Sequence, residues 1–355
     1  MDELCRSNAK GMDFIMTNRE RVITAIRHET PNYTPHSVMF TRMMLEKMID
    51  YSGDPDYINT INNHIIKAAV RKPQEAVPGQ PEHFIDEFGV IWNKSGVDKD
   101  IGVVSEYRIK NADELAAYQP PPVDEDYIRS QFKHLMEIKE DNFAIASVGF
   151  TIFERAWSLC GMEDLLCYML TDPEAVESLF SRLTERCLWQ TKIALEYDID
   201  GVWFGDDWGQ QRGLIMGRPL WVKLLKPCFK ALYGETKARG KYVLQHSCGD
   251  ISGIFEDLIE IGLDVHQTFQ PEIYDIREYK KKLGGRLAIW GAISTQADLP
   301  FKTPSEIYQL TKNTIEILGK NGGYIAAPTH EVPPDVPPEN IEAMVKAFMD
   351  QAQYV

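Results

Sequence analysis

From residue 143 onward the chain repeats one pattern: a short β-branched or aromatic run, a turn, then an amphipathic helical stretch. Apolar runs at 143–148, 201–204, 242–245, 263–267, 287–290 and 324–327 alternate with helical patterns over 151–169, 173–197, 219–239, 251–261, 305–318 and 338–349. Strands separated by helices pair in parallel through right-handed crossovers. With 35–40 counted there are seven strands and room for an eighth, which suits a (β/α)8 TIM barrel better than an open sheet. The expected fold class is therefore α/β, a (β/α)8 TIM barrel with an N-terminal helical and hairpin extension. No Gly-x-Gly-x-x-Gly or Walker loop is present, so nucleotide binding by those routes has no support.

Ahead of this rhythm, residues 1–16 are mixed in character and expected to be loosely held. Thr17 caps a helix with Glu20 three places on, and Val22, Ile23 and Ile26 form its apolar stripe before Pro31. A methionine-rich helix is expected over 41–49, another helix over 59–70, and a small hairpin over 84–92 around Gly89. Gln119-Pro120-Pro121-Pro122 reads as a stiff connector, but the alternation resumes after it. Residues 1–355 are thus expected to form one domain, with 1–120 including the N-terminal decorations. Six cysteines without framework spacing suit a reducing compartment and no disulfides. Without a basic leader or an apolar run near the roughly 18 residues that span a bilayer, the expectation is a cytoplasmic protein with no membrane partner. A net charge of −15 with no basic face argues against nucleic acid.

The reactive residues gather at the carboxyl ends of the expected strands, where barrel enzymes keep their chemistry. The strand at 242–245 runs into His246-Ser247-Cys248-Gly249. In extended chain, residues two apart point the same way, so His246 and Cys248 project together. An imidazole and a thiolate are two of the three protein ligands a catalytic zinc site needs. Glu154 and Arg155, Asp206 and Asp207, His266, and His330 with Glu331 follow other strands. Asp206 and Asp207 lie between Phe204 and Trp208, in partly apolar surroundings that raise a carboxyl pKa, and are expected to orient substrate or accept a proton. Phe204, Trp208 and Trp157, with Trp203 and Trp290, are expected to supply an aromatic pocket. Structural uses stand beside these readings. The aspartates can cap a helix, Glu154 can pair with Arg155, His266 can be a core histidine, and the aromatics can pack the barrel.

Several stretches carry a resemblance: Thr17-Asn18-Arg19-Glu20-Arg21-Val22, His246-Ser247-Cys248-Gly249, Gly322-Gly323-Tyr324 and Pro337-Pro338-Glu339-Asn340-Ile341. Over nearly its whole length the chain resembles the uroporphyrinogen decarboxylase superfamily, whose (β/α)8 barrels include decarboxylases and zinc methyltransferases that exchange methyl groups with corrinoid proteins. The decarboxylases carry Arg-Gln-Ala-Gly-Arg after their first strand; this chain reads Phe40-Thr41-Arg42-Met43-Met44, which disfavours porphyrinogen decarboxylation. Arg42 in that stretch is expected to contact substrate. The methyltransferases hold zinc with His-x-Cys and a later cysteine. His246 and Cys248 match the first two, His330 falls at the third position, and Glu154 is the expected fourth ligand, besides being a catalytic candidate.

The resemblance thus implies a zinc enzyme, an O-demethylase component, that moves a methyl group from a small methylated substrate, an aromatic O-methyl ether above all, to the Co(I) of a corrinoid (cobalamin) protein. A homodimer is compatible with it. The alternatives are a methylcobamide:thiol or folate methyltransferase, a related decarboxylase, and a corrinoid or metabolite binding protein without turnover.

Overall fold

The structure, a computed structural model, describes residues 16–96 and 102–351; the expectation for the N-terminal stretch falls outside them apart from its last residue. Seven parallel strands form one curled sheet: β1 (Ile65–Ala69), β2 (Phe143–Val148), β3 (Gly201–Gly205), β4 (Tyr242–His246), β5 (Val265–Phe269), β6 (Ala288–Ile293) and β7 (Tyr324–Pro328), in that spatial order. Every residue of β5, β6 and β7 is buried, as expected of parallel strands covered on both faces.

The two sheet edges are bridged by residues 35–40. On one side Ala326 N–H donates to Pro35 O at 2.8 Å and Ser37 N–H to Ala326 O at 3.0 Å. On the other, His64 N–H donates to His36 O at 3.0 Å, and the Asn63 amide accepts from Val38 N–H at 2.7 Å. This ring of eight segments is consistent with a TIM-barrel-like fold.

Side chains alternate across the strands. Ile65, Ile145, Leu244, Val265, Trp290 and Ile325 belong to an inner cluster, which Val22 and Ile26 of the helix Asn18–Ile26 join. That helix has the expected capping box between Thr17 and Glu20. It lies at the strands' amino ends, where Gly323 N–H, just before β7, donates to Ala25 O at 2.7 Å. One end of the inner layer is thereby closed by apolar packing, and the opposite end is left for polar groups.

Three expectations are corrected. Residues 59–70 are not a helix: one turn at Tyr57–Thr60 gives way to β1. The spacing of Ile61, Ile65 and Ala69 fits a helical period, but pairing of Ile65 to Ala69 with Phe143 to Ser147 decides the matter from nearly eighty positions away. The expected hairpin is part of a four-stranded antiparallel sheet, Glu75–Ala76, His83–Ile85, Ile91–Asn93 and Val103–Glu106. It is inserted between β1 and β2 and does not precede the barrel strands. The helical pattern at 151–169 is also broken, into Phe153–Cys160 and Met162–Thr171, by Gly161 at φ 97°. Among the described residues the cysteines are free, and no helix is long and apolar enough to cross a membrane.

Candidate functional site

At the carboxyl ends of the strands lies a cavity of about 490 Å3. Met39, Phe150, Trp203, Pro333 and Pro334 supply apolar wall, and Glu154, Asp207, His246, Gln267, His330 and Glu331 supply polar wall.

Within the same region the structure brings His246, Cys248 and His330 together, one ligand atom from each lying within 4.8 Å of the others. Cys248 Sγ is 3.7 Å from His246 Nε2. The loop after β4 is held by its neighbours: Cys248 N–H donates to Asp207 Oδ1 at 2.8 Å, and Gly249 N–H to Gln270 Oε1 at 2.8 Å. Gly249 has φ 76°, and a Cβ there would stand 2.2 Å from the Gly209 carbonyl carbon, so the turn after Cys248 requires glycine.

Orientation of His246 comes from β5. His246 pairs with Gln267 in register, and Gln267 Oε1 hydrogen-bonds His246 Nδ1. With that oxygen accepting, the proton sits on Nδ1 and Nε2 presents its lone pair toward Cys248, the arrangement by which metal-binding histidines are oriented. His330 is the solvent-facing member of the set. Protein packed around its ring, and then His246, hold its pKa below the usual histidine value, so it is a neutral donor at neutral pH. Burial pushes the Cys248 thiol up, and Asp207 and Glu154 add to this. Two imidazoles and a thiol that needs a cation to ionise form a donor set that fits zinc.

The other anticipated residues separate. Glu154 lines the cavity but stands outside the converging ligand set, which corrects its role as a fourth ligand. Its carboxyl is raised well above the usual range, first by burial and then by Asp207 and Asp206, against the pull of Arg71 and Arg155. These surroundings favour its protonated form. Asp207 lies on the cavity wall beside the ligand set, with Oδ1 3.4 Å from His246 Nε2.

Asp206 is fully buried and faces away from the cavity wall. It accepts from the backbone N–H of Glu154 at 2.8 Å, of Phe153 at 3.0 Å and of Ile152 at 3.4 Å, and from the Trp208 indole at 2.8 Å. These amides are the otherwise unpaired donors of a helix start. Burial drives the Asp206 pKa up to about 7 even so. Asp206 thus fixes the helix that carries Glu154, which corrects its reading as a substrate or proton group.

The predicted aromatic contacts are corrected likewise. Phe204 is fully buried against Tyr233 and Trp208 against Trp221 and Phe229; strand alternation turns Trp203, not Phe204, inward. Trp157 stands behind the cavity-lining Phe150, their ring centroids 6.0 Å apart. Arg42 lies on an exposed helix face, paired with Glu46 at 3.1 Å, so its exposed side chain reaches solvent and not the cavity. His266 is buried among Phe255, Phe269 and Tyr274, and burial lowers its pKa to about 3, which makes it a neutral core histidine. Gln267, Phe150 and Met39 were not anticipated from sequence. Only the register of β4 with β5 singles out Gln267.

A raised carboxyl has a stability consequence. In the unfolded chain Glu154 titrates near 4.5, and in the fold well above, so its contribution is complete below pH 4.5 and is lost as pH rises toward the folded value. Glu154→Gln is expected to flatten this decline above about pH 4.5, by roughly 1.4 kcal/mol per unit of the wild-type shift. Thermal unfolding of metal-free protein at a series of pH values measures it. A parallel decline in both proteins would refute the assignment.

Residues 95–350 match the family model described as Uroporphyrinogen decarboxylase (URO-D). A uroporphyrinogen decarboxylase from Magnetococcus marinus is 23% identical over 185 residues, 52% of this chain and 51% of that protein, so the match spans about half the length of that curated relative. A solved structure described as a methyltransferase from Methanosarcina mazei superposes with a TM-score of 0.69 at 16% identity, covering 96% of this chain and 100% of that one. That likeness is one of fold.

Proposed function

Since the chain belongs to the uroporphyrinogen decarboxylase (URO-D) family, we propose that it is a methyltransferase of that family acting on the substrate side of a corrinoid system. It takes the methyl group of a small methylated compound, most favourably an aromatic O-methyl ether, and delivers it to the Co(I) of a corrinoid carried by a partner protein, in the cytoplasm. The observation that carries this reading is the convergence of His246, Cys248 and His330 on a cavity with aromatic wall from Phe150 and Trp203.

An ether resists demethylation because alkoxide and phenoxide leave poorly, so what the reaction lacks is charge relief at oxygen. His246, Cys248 and His330 would hold zinc, and bound there zinc supplies Lewis acidity toward that oxygen. The chain's own groups supply the rest. Gln267 holds the His246 ring in its donor orientation. Glu154 in the cavity wall, where burial and the neighbouring carboxylates favour its protonated form, gives its proton to the oxygen as the C–O bond breaks and the bonding pair moves onto oxygen. Asp206 keeps Glu154 in place through the helix start. The cobalt pair forms the new bond to carbon, leaving an alcohol or phenol and a methylated corrinoid.

The test is metal quantification followed by methyl transfer from a panel of methoxybenzenes to Co(I) cobalamin, followed by the change in cobalamin absorbance. Stoichiometric zinc with transfer is the expected result. Failure to take up zinc, absence of transfer from every donor in zinc-loaded protein, or carbon dioxide released from an acid substrate would overturn the reading.

A further inference from the structure

The ring of strands is open at one seam. Residues 35–40 stay bonded on one flank into the loop after β7, where Val332 N–H donates to Met39 O at 2.8 Å and Thr41 N–H to Val332 O at 3.2 Å. On the other flank the bonding stops early. Beside His64, the Asn63 side chain stands in for a neighbouring strand, accepting from Val38 N–H at 2.7 Å and donating to Val38 O at 3.1 Å. Among the described residues no backbone hydrogen bond joins residues 38–41 to Ile65–Ala69.

A chamber of about 240 Å3 occupies this seam. Ile65 and Trp290 on its wall belong to the inner layer of the barrel, whereas Val38, Phe40 and Ile58 pack in the outer one, so the chamber crosses from one layer to the other. Its inner end adjoins the 490 Å3 cavity, since Met39 and Glu331 are walls of both and Glu331 follows the ligand residue His330. Only side chains separate the two spaces there. Lys67 Nζ reaches Met39 Sδ at 3.2 Å and Glu331 Oε1 at 3.5 Å, and the two charged side chains are each 38% exposed. An ion pair this exposed has little hold on its partners, so the partition can part for a ligand.

The wall also states what kind of group fits. Its two charges, Lys67 and Glu331, are paired with each other at the partition. The Asn63 amide is taken up by Val38, the Trp290 indole nitrogen is buried beneath the surface, and Ser37 adds a hydroxyl. A charged group entering here would leave water without an unpaired partner to receive it, whereas an apolar group gains by burial against Val38, Phe40, Ile58 and Ile65. There is room for one of useful size, because a cavity of about 150 Å3 already takes up benzene.

We propose that this seam chamber is a second subsite, which takes an uncharged apolar substituent, a short alkyl chain or a ring, of the molecule whose reacting end lies in the main cavity. That the reacting end is a methyl ether rests on the proposed function; the chamber's part in binding does not.

Calorimetric titration of methoxybenzene and of its 3- and 4-alkyl derivatives, from methyl to butyl, tests the subsite in wild type, Leu45→Trp, Ile58→Trp and the double variant. Both positions are half-buried and line the chamber. In wild type, affinity is expected to rise about fourfold per methylene in at least one series, the equivalent of about 0.8 kcal/mol for each CH2 buried. In each single variant the rise should stop at a shorter tail, and in the double variant it should vanish, while methoxybenzene itself binds as in wild type. Should the double variant fail to fold, the single ones still decide. Flat series at both ring positions in wild type, or a rise undiminished in Leu45→Trp and Ile58→Trp, would overturn the subsite. A chamber-dependent rise without methyl transfer to Co(I) cobalamin would leave the subsite standing and sink the methyltransferase reading; transfer with flat series would do the reverse.

Discussion

Cys248→Ala is expected to release zinc and to lower methyl transfer by about three orders of magnitude, since loss of a mere supporting contact to a ligand already costs 10- to 100-fold. Catalytic zinc needs three protein donors, and among the described residues only His246, Cys248 and His330 form such a converging group. The thiol also makes binding pH-dependent. Buried, and beside Asp207 and Glu154, it stays protonated without metal, so each zinc bound expels one proton and affinity should tighten about tenfold per pH unit. The alanine variant should lose that slope together with the metal while keeping its fold. Zinc analysis and single-turnover transfer decide the matter; wild-type metal content with wild-type transfer in Cys248→Ala would end the proposal. His330→Cys gives the complementary result. It should keep the metal but add a thiolate charge, weakening the Lewis acid and slowing ether demethylation. Equal or faster transfer would favour the thiol-side alternative.

Asp206→Ala is expected to cost stability, by about 4 kcal/mol, and activity only secondarily. Asp206 satisfies three backbone amides and the Trp208 indole in a site closed to water. Removing it strands several buried donors at about 1–3 kcal/mol each, less whatever water reaches them. Asp206→Asn keeps the volume but turns half the acceptor into a donor, and should lie between. In both variants kcat should fall with the drift of the Glu154 helix while zinc content holds. Chemical denaturation with zinc analysis distinguishes this from a catalytic role. A variant of wild-type stability with lost turnover would return Asp206 to the reacting groups.

Determined by sequence alone were the alternation of strands and helices and the position of His246 and Cys248 at a strand end. Both rest on local properties, namely hydrophobic period, the glycine-bounded turn and the two-residue repeat of extended chain. The capping box of Thr17 and Glu20 and most strand limits were legible for the same reason. What only the tertiary structure decided is everything that depends on register or on which way a side chain turns. Ile65–Ala69 is a strand because β2 pairs with it, whereas its own spacing also fits a helix. Asp206 and Asp207 are adjacent and chemically identical, yet one is a buried acceptor for a helix start and the other lines the cavity, since successive residues leaving a strand face opposite sides. Of Trp203 and Phe204, both expected in the aromatic pocket, that parity leaves only Trp203 on the cavity wall. Gln267 meets His246, and Arg71 meets Phe150, through pairings between segments far apart in the chain. Local period fixes which residues form strands; the packing of strand on strand fixes which of their side chains share a cavity.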